Sequence, residues 1–283
     1  MSTFITPLRY PGGKGRLGSW LAGLIEYNKL SEGCYVEPYA GGAGAALYLL
    51  ANQHIKHIVI NDADPIIYAF WLSVLEDNQK LISLIKNTPT TMDSWYKQKE
   101  IISNPNEYDI TQVGFATFFL NRTNRSGILT GGVVGGKKQD GIYKLDARYN
   151  KDELCKRIEK IGGMSKYITL YNLDALKFLE KIEPSLPDNS LIYFDPPYYK
   201  KGSQLYRNYY KPEDHEKIHI KINELNKPWL VTYDDCEQIR EIYKKEKSID
   251  FSLYYSTHIK RQKTTEIMFY NNLELHIQPY MKR

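Results

Sequence analysis

The connection between the last two strand-like segments of this 283-residue chain restricts its fold more than any other feature. Short β-branched or aromatic segments recur at Tyr35-Val36, His57 to Ile60, Ile168 to Tyr171, Leu191 to Phe194, Trp229 to Thr232, Ile249 to Tyr255 and Glu266 to Tyr270. Helix-like stretches follow most of them, at Ala43 to Asn52, Pro65 to Leu75, Ala175 to Lys181, Pro212 to Leu225 and Glu237 to Lys245. Strands alternating with helices build a mostly parallel sheet covered on both faces. Between Tyr255 and Glu266 stands only STHIKRQKTT, too short for the helical crossover that a parallel neighbour requires. One of the final strands is therefore predicted to run antiparallel.

The interval from about Glu76 to Lys166 carries no such rhythm and contains FATFFLNRTNRSGILTGGVVGGKKQDG, which reads as a helical insert with a glycine-rich ribbon. At 42% hydrophobic and 25% charged residues the chain can bury a sizeable core. No apolar run approaches the roughly 18 residues of a membrane span, and the opening MSTFITPLRYPGGKGRL lacks a signal peptide's apolar stretch, so a cytoplasmic protein is expected. Cys34, Cys155 and Cys236 stand far apart without CxxC or His-rich spacing, which suggests reduced packing residues and neither a disulfide framework nor a metal site. The net charge of +5 is modest, but the basic residues recur in glycine- or tyrosine-rich segments, a pattern suited to a polyanion with stackable bases.

The ends of the core strands carry the chemistry. Glu37-Pro38 gives way to Gly41, Gly42, Ala43 and Gly44 before a helix, a turn of small residues that lets backbone approach a ligand. The next strand ends on Asp62, about where an acid would hold ribose hydroxyls in a nucleoside site. A phosphate loop is a poor alternative, because PGGKGRL at Pro11 to Leu17 lacks the GxxxxGK[ST] spacing. The third core strand offers Asp174, and the fourth runs into Asp195-Pro196-Pro197-Tyr198. Alone, that last motif is a strand end followed by a proline turn.

Together these segments resemble the Dam-like adenine-N6 DNA methyltransferases, which use S-adenosylmethionine. RYPGGKGRL is similar to the family's N-terminal cofactor motif, VEPYAGGAGA to its glycine turn, IND to its ribose-binding acid, FFLNRTNRSGIL to the start of its DNA-recognition region and FDPPYY to its catalytic motif; WLVTYDD and TEIMFYN resemble its closing strands. The resemblance implies an α/β, Rossmann-like methyltransferase fold, with a seven-stranded, mostly parallel sheet, one antiparallel strand and an inserted, mainly helical DNA-recognition lobe. It places the catalytic domain in residues 1–75 and 167–283 and the lobe in 76–166. It implies a catalytic role for Asp195, Pro196, Pro197 and Tyr198, and cofactor contacts from Tyr10, Lys14, Glu37, Pro38, Tyr39, Gly41, Gly42, Ala43, Asp62, Asp174 and Asp195, with Lys14 near the cofactor carboxylate. The family often has glycine where this chain has Ala43.

Double-stranded DNA is the implied partner, with Asn121, Arg122, Asn124, Arg125, Lys137, Lys138, Lys200 and Arg207 as candidate contacts. The target base would have to be flipped out of the duplex. Thr130 stands where readers of GATC have arginine, so the target sequence does not carry over. A restriction-modification or phage-defence setting, with any nuclease on a separate subunit, is compatible with these motifs. Two other classes stay open at this point: a related enzyme acting on cytosine-N4 or RNA, and a catalytically silent DNA-binding regulator. Asp195 favours adenine over the first, and intact Lys14, Asp62 and Asp195 speak against the second.

Overall fold

The computed structural model describes residues 5–10, 13–200, 210–254 and 263–280. They divide into two compact units, one of residues 14–63 and 167–280, the other of 5–13 and 64–166.

The first unit is an α/β, Rossmann-like fold. Seven strands, β1 (Cys34–Glu37), β2 (His57–Asn61), β3 (Ile168–Tyr171), β4 (Leu191–Phe194), β5 (Trp229–Asp234), β6 (Lys247–Tyr254) and β7 (Lys263–Asn271), form one sheet in the order β3-β2-β1-β4-β5-β7-β6. The first five pair in parallel, and β7 runs antiparallel to both β5 and β6, as the short connection predicts. Because β7 is reversed, its Glu266 pairs with Asp234 at the very end of β5. An antiparallel strand thus enters the sheet at the edge where its parallel neighbours leave it.

Side chains alternate between the two faces of each strand. Val36, Val59, Ile192, Phe194, Val231, Tyr233, Ile267 and Phe269 join one core cluster with Phe178 and Leu179 of α8 (Ala175–Ile182), Ile218 and Ile222 of α9 (Pro212–Asn223) and Ile239 of α10 (Glu237–Ile242). The alternate residues, among them Tyr35, Ile58, Ile60, Tyr193, Leu230 and Thr232, are buried on the other face. All four residues of β4 are buried, each worth about 1.5–3 kcal/mol. That burial makes β4 a rigid base for the motif after it. Helix α1 (Gly18–Tyr27) packs on α2 (Gly44–Ala51), where a side chain at Gly18 would run into the Tyr48 ring.

The second unit is helical: α3 (Pro65–Glu76), α4 (Asn78–Asn87), α5 (Met92–Ser103), α6 (Ile110–Thr123) and α7 (Lys151–Gly162). Helix α6 begins with a capping box of Asp109 and Gln112 and buries Val113, Phe115, Ala116, Phe118, Phe119 and Leu120. The Phe118 ring stacks on Phe70 of α3 at 5.8 Å, which explains why α3 belongs to this unit. The division therefore falls before α3, whereas the sequence places it after. The segment expected as a glycine-rich ribbon is mostly turns, with a single antiparallel bridge from Asn124 to Val133. Among the described residues no helix is long and apolar enough to cross a membrane.

Candidate active site

Strand order reverses between β1 and β4, and in open sheets of this kind ligands bind outside the carboxyl ends of the strands at such a point. Asp195 follows β4 there. Its Oδ1 accepts from Lys14 Nζ at 2.8 Å and from Thr232 Oγ1 at 3.0 Å. Its Oδ2 has no hydrogen-bond partner among the described residues, nor has the carbonyl of buried Pro196. With its side chain 21% exposed, Asp195 offers one held and one available oxygen.

Lys14 opens a single 3-10 turn, Lys14–Leu17, and its side chain is 2% exposed. Besides Asp195, its ammonium lies 3.4 Å from Glu266 Oε2, donates to Tyr198 Oη at 3.3 Å and stands 5.4 Å from the centre of the Tyr198 ring. The Tyr198 hydroxyl donates to Glu266 Oε1 at 2.7 Å. Two carboxylates, an ammonium and a phenol thus close around the motif. Asp234 anchors the backbone just beyond Tyr198, accepting the N–H of Tyr199 at 2.9 Å and of Lys200 at 3.2 Å. Buried His215 sits among the rings of Tyr199, Tyr210 and Tyr233, and burial lowers its pKa to about 4, so it is neutral.

The glycine turn lies at the ends of β1 and β2. Ala43 caps α2 at φ 45°, ψ 34°, a left-handed conformation that favours glycine. Asp62 is 9% exposed, and its Oδ2 accepts the Gly41 N–H at 2.8 Å. Glu37 accepts the Ala46 N–H of α2 at 3.1 Å; burial pushes its carboxyl up to about 8, and that hydrogen bond offsets only part of the shift. Asn61 ties three strand ends together: its amide donates to the carbonyls of Pro38 and Leu173, both at 3.0 Å, and accepts the Leu173 N–H at 2.9 Å. Tyr39 shares a 2.7 Å hydrogen bond with Tyr210, and exposed Asp174 caps α8 through the Leu176 N–H. Tyr10 belongs to the second unit.

Among the candidate DNA contacts, Asn121 and Asn124 are corrected by the structure. Asn121 is 1% exposed, accepts the Arg9 N–H at 2.7 Å and donates to the carbonyls of Arg9 and Gly127. Asn124 is wholly buried, accepts the Trp95 indole N–H at 2.7 Å and donates to the carbonyls of Ile128 and Leu129. Amides so fully engaged brace the turn after α6 and cannot reach a duplex without dismantling it. Arg122 donates to the Arg148 carbonyl at 2.8 Å, and burial together with Arg9, Arg157 and Arg148 lowers its pKa to about 9. Arg125, Lys137, Lys138 and Lys200 are exposed, and Arg207 lies outside the described residues.

Thr232, Glu266, Asn61 and Asp234 were not singled out from the sequence. Asn61 ends the apolar run of β2, Thr232 and Asp234 interrupt and end that of β5, and Glu266 stands directly before the apolar run Ile267 to Tyr270, which was the available signal.

Residues 10–262 match the D12 class N6 adenine-specific DNA methyltransferases. A type II methyltransferase of Methanocaldococcus jannaschii, M.MjaIII, is 26% identical over 208 residues, 68% of each chain. Two solved structures are similar at low identity: a SAM-dependent methyltransferase of Agrobacterium tumefaciens (12% identity, 89% of this chain and 60% of that one, TM-score 0.41) and the rRNA methyltransferase aviRa of Streptomyces viridochromogenes (12%, 88% and 82%, TM-score 0.36). With its D12 match running over most of the sequence and its Asp-Pro-Pro-Tyr motif at the end of β4, this chain belongs to the D12 class of N6 adenine-specific DNA methyltransferases.

Proposed function

We propose that the chain methylates adenine in a specific sequence of double-stranded DNA, on a base flipped into the first unit against Asp195, Pro196 and Tyr198. The observation that carries this reading is the pair of acceptors at the end of β4, Asp195 Oδ2 and the Pro196 carbonyl, neither taken by a described residue. An exocyclic amine has two N–H groups to give, and its lone pair is delocalised into the ring. Hydrogen bonds to both acceptors draw the nitrogen toward tetrahedral geometry and localise that pair. Proline fixes the direction of the carbonyl, and the Tyr198 ring offers a face for stacking. Taking the base out of the stack costs a few kcal/mol, which contacts to the flipped base offset.

The family's methyl donor, S-adenosylmethionine, brings an activated methyl group on a positively charged sulfur. The residues of the first unit fit such a group. The turn from Ala40 to Ala43 has no side chain larger than methyl, Asp62 stands buried beside it, and Asn61 holds the three strand ends in one frame. Asp62 would take the ribose hydroxyls, Gly41, Gly42 and Ala43 would leave room for close backbone approach, and Asp174 would lie near the adenine end. Lys14 is assigned to the methionine end, near its carboxylate. Exposed Arg125, Lys137, Lys138 and Lys200 suit phosphate contacts. Similarity to a type II methyltransferase supports a restriction-modification setting, with the nuclease on another chain.

The test is transfer of labelled methyl from S-adenosylmethionine to unmethylated duplex DNA, followed by mapping of the modified base. Label on adenine N6 within one sequence context is expected, and Asp195→Ala should abolish it while cofactor binding persists. Label in cytosine, or in RNA but not DNA, would overturn the reading.

A further inference from the structure

The helical unit gathers Arg9, Arg122, Arg148 and Arg157 around its N-terminal segment. Arg122, in the last turn of α6, donates from Nε to the Arg148 carbonyl at 2.8 Å and from Nη1 to the Pro7 carbonyl at 3.4 Å. Arg157 of α7 donates from Nη1 to the Thr6 carbonyl at 3.4 Å. Arg9 is fixed beside Arg122 by Asn121, which accepts its N–H at 2.7 Å and donates to its carbonyl at 2.8 Å.

Like charges gathered in this way repel, and the more so as water is excluded. Burial and Arg148 lower the pKa of Arg9, and burial with Arg9, Arg157 and Arg148 lowers that of Arg122. Arg157 pairs with Glu153 one turn before it on α7, at 3.1 Å. Among the described residues Arg9, Arg122 and Arg148 have no carboxylate partner, and the guanidinium groups of Arg9 and Arg148 make no hydrogen bond. Bracing of backbone explains where Arg122 and Arg157 lie. It leaves the charge of Arg9 and Arg148 without a task. The cluster is open to solvent, since Arg148 is exposed and the other three are half-buried.

A planar guanidinium presents its N–H donors in a fork that fits two oxygens of a phosphate, and several such forks fit one phosphate better than one carboxylate. We propose that Arg9, Arg122, Arg148 and Arg157 form a phosphate-binding site, and that its occupant is the backbone of duplex DNA, held without regard to sequence. This rests on duplex DNA as the substrate, and failure of that reading would show separately, as wild-type protein that binds no duplex.

The experiment measures affinity for two duplexes of unrelated sequence across a range of salt, in wild type, Arg148→Gln and Arg148→Lys. Arg148 is the residue to change because it is exposed and its tie to Arg122 runs through its own carbonyl, which both variants keep. Arg148→Gln is expected to bind both duplexes more weakly by the same several-fold factor, with the slope of log affinity against log salt smaller by about one, and Arg148→Lys to return the slope. Weakening on one duplex alone would mean base reading and overturn the proposal. In chloride, removing a repelled charge should leave the melting temperature of Arg148→Gln unchanged or higher, and a fall would show a partner within the fold and overturn it as well. Inorganic phosphate at constant ionic strength is the second probe, expected to raise the melting temperature of wild type more than that of Arg148→Gln. If only this difference appears and duplex binding is unchanged, DNA is overturned as the occupant in favour of a free phosphate compound. If neither changes, the site itself is overturned.

Discussion

Thr232 Oγ1 donates to Asp195 Oδ1 at 3.0 Å, and Tyr193 stands behind it at 2.9 Å. A threonine hydroxyl has one proton, and a carboxylate can only accept it. The Tyr193 hydroxyl must therefore donate to Thr232, giving a one-way chain from Tyr193 through Thr232 to Asp195. Burial raises the pKa of Tyr193 well above that of a free phenol, which keeps the proton in place.

Thr232→Val breaks this chain without changing the volume. Asp195 keeps Lys14 but loses the bond that fixes its plane, so single-turnover methyl transfer is expected to fall by roughly tenfold or more. The orphaned Tyr193 hydroxyl costs about 1–3 kcal/mol of stability, readable as a lower urea midpoint. Thr232→Ser should retain the rate and, having lost one buried methyl, lower stability by only about 1 kcal/mol; a slow serine variant would mean that the methyl group, not the hydroxyl, matters.

Ala43 shows why alanine is tolerated where glycine is common. Its left-handed backbone costs about 1–2 kcal/mol for any residue with a Cβ. Against that, its methyl is buried, worth about 0.8 kcal/mol, and glycine would add conformational entropy to the unfolded chain, a further 0.5–1 kcal/mol or so. The terms nearly cancel, so Ala43→Gly is expected to change unfolding free energy by less than about 1 kcal/mol. A β-branched side chain has no such balance, and Ala43→Val should destabilise by about 2 kcal/mol or more. Urea unfolding of the two variants checks both.

Glu37 and His215 make stability depend on pH with opposite signs. Folding raises the Glu37 pKa from 4.5 to about 8, so across that window the folded state holds a proton that the unfolded state has lost, and stability falls as pH rises. Folding lowers the His215 pKa from 6.5 to about 4, so there the unfolded state holds the extra proton, and stability rises with pH. Each contributes a slope of at most about 1.4 kcal/mol per pH unit. Their effects oppose between pH 4.5 and 6.5, and from 6.5 to 8 the Glu37 slope stands alone. Urea unfolding of the cofactor-free protein should show that decline, and Glu37→Gln should flatten it. Parallel curves for the two proteins would contradict the assignment.

Two neighbours in the turn after α6 should behave in opposite ways. Asn124→Ala leaves the Trp95 N–H and two carbonyls without their partner, and is expected to destabilise by about 2–3 kcal/mol. Exposed Arg125 has no such burden. Arg125→Ala should keep the melting temperature, weaken DNA binding evenly across sequences and lower the slope of log affinity against log salt by about one. Loss of discrimination at a single base pair would instead assign Arg125 to base reading.

The sheet was legible in the sequence because each core strand is a short apolar run bounded by turn residues, and because STHIKRQKTT cannot span a parallel crossover. The acidic strand ends were legible for the same reason, as charges that stop a buried run. The network around Asp195 was not: Lys14, Thr232 and Glu266 reach it from three distant parts of the chain, and only the order β4-β5-β7 brings the last two together. Asn121 and Asn124 were misread because polar residues beside arginines suggest a surface. The phenylalanines and leucine packed all round α6 were the contrary signal, since a helix apolar on every side leaves its amides inside.

The placement of β7 also bears on when the protein can act during its own synthesis. A nascent chain emerges from Lys14 toward Glu266, so the ammonium and Asp195 are made long before the second carboxylate that joins them. Until β7 slots between β5 and β6, the sheet has a gap at the edge where the motif sits. A fragment that stops before β7 would carry the motif without the carboxylate that accepts the Tyr198 hydroxyl.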